Sequence, residues 1–190
     1  IANESALSDV RGEEGRLKYL RYDIDDLVEM CCYDEDVYLL LNKRLPNRDE
    51  LEGIKNRLRS DRDLPQPVLD FFKTATKSAR PMSALRTAVS MLGMYDDRTK
   101  DPGQLKEIGL SLIAKVPVMV AYYYRLCQGL ALPPVREDLS ASDHFLWLLM
   151  GEEPNPDEAH ILDVAYILHA DHGMNASTFA ARVCIATLSD

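Results

Sequence analysis

Ile167-Leu168-His169-Ala170-Asp171-His172-Gly173-Met174-Asn175-Ala176-Ser177-Thr178-Phe179-Ala180-Ala181 is the stretch on which the reading of this chain turns. Upstream, Asn155-Pro156 opens a helix whose apolar residues Ile161, Leu162, Ala165 and Leu168 recur at helical spacing. Gly173 suits the left-handed residue that ends a helix, and Asn175 can cap a second helix carrying Phe179, Val183 and Ile185. The spacing therefore predicts helix, reversal, helix, with His169, Asp171 and His172 in the last turn before the reversal. A histidine at a helix C-terminus is biased toward its charged form, and the amides opening the next helix favour a carboxylate. Such a corner suits a small dicarboxylate. His172 also falls on the face of Ile161, Ala165 and Leu168, so it reads as well as a core-facing histidine satisfied by a carbonyl. No metal is expected, because no further His or Cys cluster adds ligands to this group. His144 and His160 stand apart and read as structural or exposed.

The same punctuation recurs along the rest of the chain. Gly12-Glu13-Glu14-Gly15 separates Ala6–Val10 from Arg16–Leu20 and predicts a small hairpin. Asp34 can cap a helix over Val37–Lys43, and Asn47 with Glu50 gives a capping-box-like start for one through Arg59. Pro81 suits the first turn of a helix over Met82–Met94, which carries Leu85, Val89 and Leu92. Asp101-Pro102 opens another helix, carrying Leu105, Ile108, Leu112 and Ile113. Pro117 lacks a backbone donor, so the run from Gly109 to Gln128 is expected to kink or split near Lys115. Ser140 caps Phe145–Met150. The fold class is all-α, with residues 1-22 a hairpin segment and 23-190 the helical part.

Composition narrows the function classes. Hydrophobic residues make up 46%, enough for a packed core rather than global disorder. With 31 acidic against 22 basic residues and a net charge of -9, the chain has no basic stripe for nucleic acid. An anionic ligand would need local cations against that overall field. Cys31 and Cys32 are adjacent, and Cys127 and Cys184 are far off, so no Cys-x-x-Cys spacing exists; they read as reduced thiols. No leader and no membrane-spanning run is present in the sequence, which points to a cytoplasmic location. The chain begins at Ile1 rather than Met and ends on Leu188-Ser189-Asp190, where good cap residues have no helix after them. That pattern is expected of a chain cut between helices.

The run Leu168–Val183 resembles a characteristic segment of the citrate synthase family. Gly15-Arg16-Leu17 through Tyr22–Leu27 is similar to the family's early hairpin and first helix. Tyr38–Leu41 with Leu45-Pro46, Leu64-Pro65, Pro81-Met82, Leu85-Arg86-Thr87, Leu112–Pro117 and Tyr124-Arg125 continue the likeness in order. It covers essentially all 190 residues. Two places depart from the family: Tyr19-Leu20-Arg21-Tyr22 stands where Tyr-Arg-Gly-Tyr is usual, and Arg80 takes the usual histidine position before Pro81.

The resemblance implies the large-domain helical bundle of a homodimeric enzyme that joins acetyl-CoA, as co-substrate, to oxaloacetate, giving citrate and CoA with no cofactor. In that chemistry one group removes a proton from the acetyl methyl, another polarises its carbonyl, and histidines with arginines hold oxaloacetate. The family's oxaloacetate-binding histidine in this segment falls on His172, with His169 and Asn175 in supporting roles; Lys115 matches a motif without a catalytic duty. The family's Gly-Pro-x-His-Gly-Gly histidine, its Gly-x-Gly-His-Arg segment and its catalytic aspartate have no counterpart in these residues. Residues 1-190 are therefore expected to supply the N-terminal half and part of the oxaloacetate site, and to be inactive alone. Two other readings remain: a non-catalytic helical interaction or dimerisation module, and a change of acyl substrate, as in methylcitrate synthases or citryl-CoA lyases.

Overall fold

The computed structural model describes residues 5–75 and 79–187. The chain divides into two compact units, one of residues 1–47 with 163–190, the other of Arg48–Leu162. The cap residues Ser189 and Asp190 lie outside the described residues.

In the first unit, β1 (Ser8–Arg11) pairs antiparallel with β2 (Arg16–Tyr19) in the register Ser8 to Tyr19. Gly15 takes the left-handed conformation that the reversal requires (φ 63°). A third strand, β3 (Tyr22–Asp23), follows after two residues. Leu20, where the hairpin motif departs from the family pattern, adopts φ 54°, which is uncommon for a side chain of that size. Helix α1 (Ile24–Met30) leads to α2 (Tyr33–Asn42). The cap of α2 is not Asp34 but Cys32, whose amide donates to Glu35 at 2.9 Å, so the helix starts a turn earlier than expected. Tyr19, Leu27, Leu39 and Ile167 form the core of this unit, each 0–1% exposed. Full burial of such side chains contributes about 1.5–3 kcal/mol apiece. The Tyr33 amide donates to Asp163 at 3.1 Å, and the Tyr33 and Tyr166 rings meet at 5.0 Å.

The second unit is built on α6 (Leu105–Gln128), packed by α3 (Arg48–Ser60), α4 (Gln66–Thr74), α5 (Pro81–Met94) and α7 (Ala141–Met150). Of the kink or split expected near Lys115, the split is absent: α6 is one helix across Pro117. The missing donor costs about 3 kcal/mol in a helix interior. Here it is offset by burial on both sides: Lys115 is anchored before it, and Val118, Met119, Tyr122 and Tyr123 are buried after it. Asp101 opens a short 3-10 turn (Pro102–Gln104) ahead of α6 rather than α6 itself. Helix α4, unforeseen from the spacing, buries Val68 and Phe72. Three carbonyls, of Arg136, Leu139 and Ser140, accept from the buried Arg62 guanidinium at 2.6–3.1 Å, tying down the loop before α7. Gly151 ends α7 at φ 83°, and a Cβ there would stand 2.9 Å from the Arg125 guanidinium.

Helix α8 (Pro156–Leu168) runs from the second unit into the first, and α9 (Ala176–Ala186) follows. The anticipated apolar stripe on α8 is only partly buried. Ile161 is 68% and Leu168 42% exposed, while Ile167 is the fully buried anchor. Helix α9 buries none of its residues and exposes Phe179, Val183 and Ile185.

Candidate functional site

Helix α8 stops at Leu168 because a distant side chain intervenes. The Tyr19 hydroxyl, on β2, donates to the carbonyl of Ile167 at 2.8 Å and accepts from the amide of Asp171 at 3.2 Å. Those two groups would bond each other if the helix continued, since an α-helix pairs each N–H with the carbonyl four residues back. Tyr19 is thus inserted into the next helical hydrogen bond. The His169 and Ala170 amides close tighter turns onto Tyr166 and Ile167 at 3.2 Å, and the chain leaves the helix.

The predicted site residues fall along this exit. His169 is exposed, and its ring Nδ1 lies 2.7 Å from the Ala165 carbonyl, which fixes the ring against the helix end. His172 lies past the helix and is exposed. The shared helical turn and the core-facing alternative are both corrected: the two histidines sit on different backbone, and His172 meets solvent. Gly173 adopts φ 68°, and the Asp171 carboxylate accepts its amide at 3.0 Å, closing a local turn. A Cβ on Gly173 would come within 3.8 Å of the Ser8 hydroxyl on β1. Asn175 caps α9 as expected, its Oδ1 accepting from the Thr178 amide at 2.8 Å. The amino end of α9, the His172 ring and the Asn175 amide nitrogen therefore belong to one short, tethered segment.

Sequence reasoning missed two residues of this corner. Tyr19 is fully buried, and burial pushes its phenol up, so it remains a neutral donor. Asp36 on α2 is 0% exposed, with neither carboxylate oxygen hydrogen-bonded. Burial, and then the Asp171 carboxylate, push it up to about 7. Its signal was hidden in Tyr33-Asp-Glu-Asp-Val, which reads as ordinary acidic enrichment of a first helical turn. Burial also raises Cys31 and Cys32 to about 11, so both are thiols rather than reactive thiolates. All four cysteines are free.

Lys115 is a structural anchor. Its ammonium donates to the Asp61 carboxylate and to the Asp61 carbonyl at 2.6 Å, and it meets Ser111 at 3.1 Å. Among the described residues, no group of three or more His, Cys, Asp or Glu side chains could hold a metal ion, so His169, Asp171 and His172 do not form one. No helix among them is long and apolar enough to cross a membrane.

The sequence profile described as citrate synthase, C-terminal domain, matches residues 1–190. The chain belongs to the citrate synthase family. It is 44% identical over 193 residues to citrate synthase 2 of Bacillus subtilis, covering all of this chain and 51% of that one. It is 37% identical over 190 residues to the 2-methylcitrate synthase of Shewanella oneidensis, covering 50% of its length. The crystal structure of citrate synthase from Pyrobaculum aerophilum superposes with a TM-score of 0.92 at 38% identity, over 99% of this chain and 49% of that one. The citrate synthase fold is therefore present in these residues. The chain spans about half the length of the curated relatives it matches.

Proposed function

We infer that residues 1–190 supply one wall of the oxaloacetate site of a citrate-synthase-type acyltransferase. Citrate and 2-methylcitrate, the products named in the two curated relatives, both arise when the α-carbon of an acyl-CoA adds to the ketone of oxaloacetate. In that step the ketone oxygen gathers negative charge, and fixed donors placed beside it lower the barrier. His172 is the residue on which this reading rests: it is an exposed imidazole on a turn tied at both ends, by Tyr19 and by the Asn175 cap. His169 and Asn175 flank it as supporting contacts. Acetyl-CoA is the proposed acyl donor, because the more similar of the two relatives is a citrate synthase. Propionyl-CoA is the second reading, carried by the 37% identity to a 2-methylcitrate synthase. The family resemblance further proposes a homodimer.

Release of free CoA thiol in the presence of oxaloacetate tests this, measured with acetyl-CoA and with propionyl-CoA on the gene product that contains residues 1–190. Oxaloacetate-dependent release that His172→Ala abolishes or strongly weakens is expected, with acetyl-CoA the faster donor. Release unaffected by His172→Ala would overturn the site. Absence of release with either donor would favour the interaction-module reading.

A further inference from the structure

The strongest feature that the proposed site does not use is Asp36. It lies within helix α2, fully buried, in the same unit as Tyr19 and the 167–173 exit. Both its oxygens lack a hydrogen-bond partner. Four titratable groups face it: the Tyr19 phenol on β2, the Cys31 thiol between α1 and α2, the Tyr33 phenol at the start of α2, and the Asp171 carboxylate beyond α8. None of the four can bring a positive charge. An ionised carboxylate there would have neither a donor nor a counter-ion in a low-dielectric setting, an arrangement that costs several kcal/mol. Resting on the reading of His172 as an oxaloacetate contact, the geometry points to Asp36 as a positioning residue for that turn: it lies buried as an uncharged carboxyl, and ionising it displaces Asp171 and, with it, His172.

The direction of movement follows from what holds each carboxyl. Asp36 is fixed inside a helix whose neighbours Val37 and Leu39 are core residues. Asp171 is half-buried in irregular backbone, held by the Tyr19 hydroxyl and by its own bond to the Gly173 amide. When a second negative charge develops beside it, the less constrained partner moves. Displacing the Asp171 carboxylate breaks the local turn that orients His172. The Ser8 hydroxyl, buried, without a hydrogen-bond partner and close to Gly173, adds no bond that would hold the turn back. Burial and Asp171 together set the midpoint at about 7. The turn is therefore formed on the acid side of neutrality and loosened on the alkaline side.

Nuclear magnetic resonance of the 190-residue chain with carbon-labelled aspartate tests this without any ligand. One carboxyl titrating at about pH 7, absent from Asp36→Asn, is expected, and the Asp171 and Gly173 amides should shift with that midpoint in the wild type only. An Asp36 carboxyl titrating in the ordinary range of about 4 would overturn the inference, as would turn amides indifferent to it. The wild-type titration decides this even if Asp36→Asn fails to fold. Oxaloacetate binding then separates the two readings. If the turn must be formed to bind, Kd rises up to about tenfold per pH unit above the midpoint, and Asp36→Asn removes that increment. Any other titration in the site is common to both proteins. No binding at any pH would sink the oxaloacetate reading and leave the carboxyl titration to judge Asp36.

Discussion

The Tyr19 hydroxyl donates to the carbonyl of Ile167 at 2.8 Å, across 148 residues of sequence, and in doing so takes the place of the helical bond from Asp171. One side chain on a small sheet thereby ends α8 and sets where His172 begins its turn.

Tyr19→Phe removes that insertion while keeping the ring. The Ile167 carbonyl then keeps only the Ala170 amide, and the Asp171 amide must either bond that carbonyl, lengthening the helix, or lose its partner in a half-buried place. A loss of about 1–3 kcal/mol in urea unfolding is expected. Carbon chemical shifts of residues 168–171 should move toward helix. Unchanged stability and unchanged shifts would refute the role of the hydroxyl.

Lys43 ends α2 in the left-handed conformation, at φ 61° and exposed. A side chain resists that geometry and glycine does not. Lys43→Gly is expected to stabilise the chain by about 0.5–1 kcal/mol, despite the extra freedom glycine gives the unfolded state. A lowered midpoint in urea would count against the assignment of strain there.

Asp36 and His144 predict opposing pH effects. The folded-state value of Asp36 is raised to about 7, so between about pH 4 and that point only the folded chain holds the proton. Its contribution is fully present at the acid end, is lost as pH rises through about 7, and changes no further above. Burial, then the Arg62 and Arg136 charges, hold His144 down at about 3. The unfolded chain binds that proton from about pH 6.5 downward, so stability falls as pH drops toward about 3. In the overlap the two slopes oppose each other, and the wild type should look flat. The advantage of Asp36→Asn over wild type is expected to grow from about pH 4 to about pH 7, reaching a few kcal/mol. His144→Gln should gain relative to wild type below about pH 6.5. Parallel stability curves for wild type and variants would contradict both assignments.

Helix α9 exposes Phe179, Val183 and Ile185, and Ile161 and Leu168 are exposed on α8. Apolar surface of that kind favours association. Residues 1–190 are expected to bind a hydrophobic dye and to sediment as more than a monomer at micromolar concentration, with Phe179→Ser and Val183→Ser together reducing both. A dilute, dye-silent monomer would argue against it. Free CoA release by residues 1–190 alone is expected to be undetectable, and oxaloacetate-dependent release by them would overturn that expectation.

The elements that sequence predicted well are those decided within three or four residues. The glycines at 12 and 15 gave the hairpin; Ser140, Asn155 with Pro156, and Asn175 gave helix starts, because each cap satisfies amides of its own first turn. The motif order along the chain was enough for the family and the all-α class. Tertiary structure alone decided the rest. Pro117 sits in an unbroken helix because residues from several helices bury its flanks. Ile167 rather than Ile161 or Leu168 anchors α8, and the helix ends where Tyr19 intercepts it, because sheet and core meet it there. Asp36 reads as a surface acid until α2 is seen with that residue inside. Caps are local bonds, whereas helix ends, buried faces and protonation states depend on groups that only folding brings together.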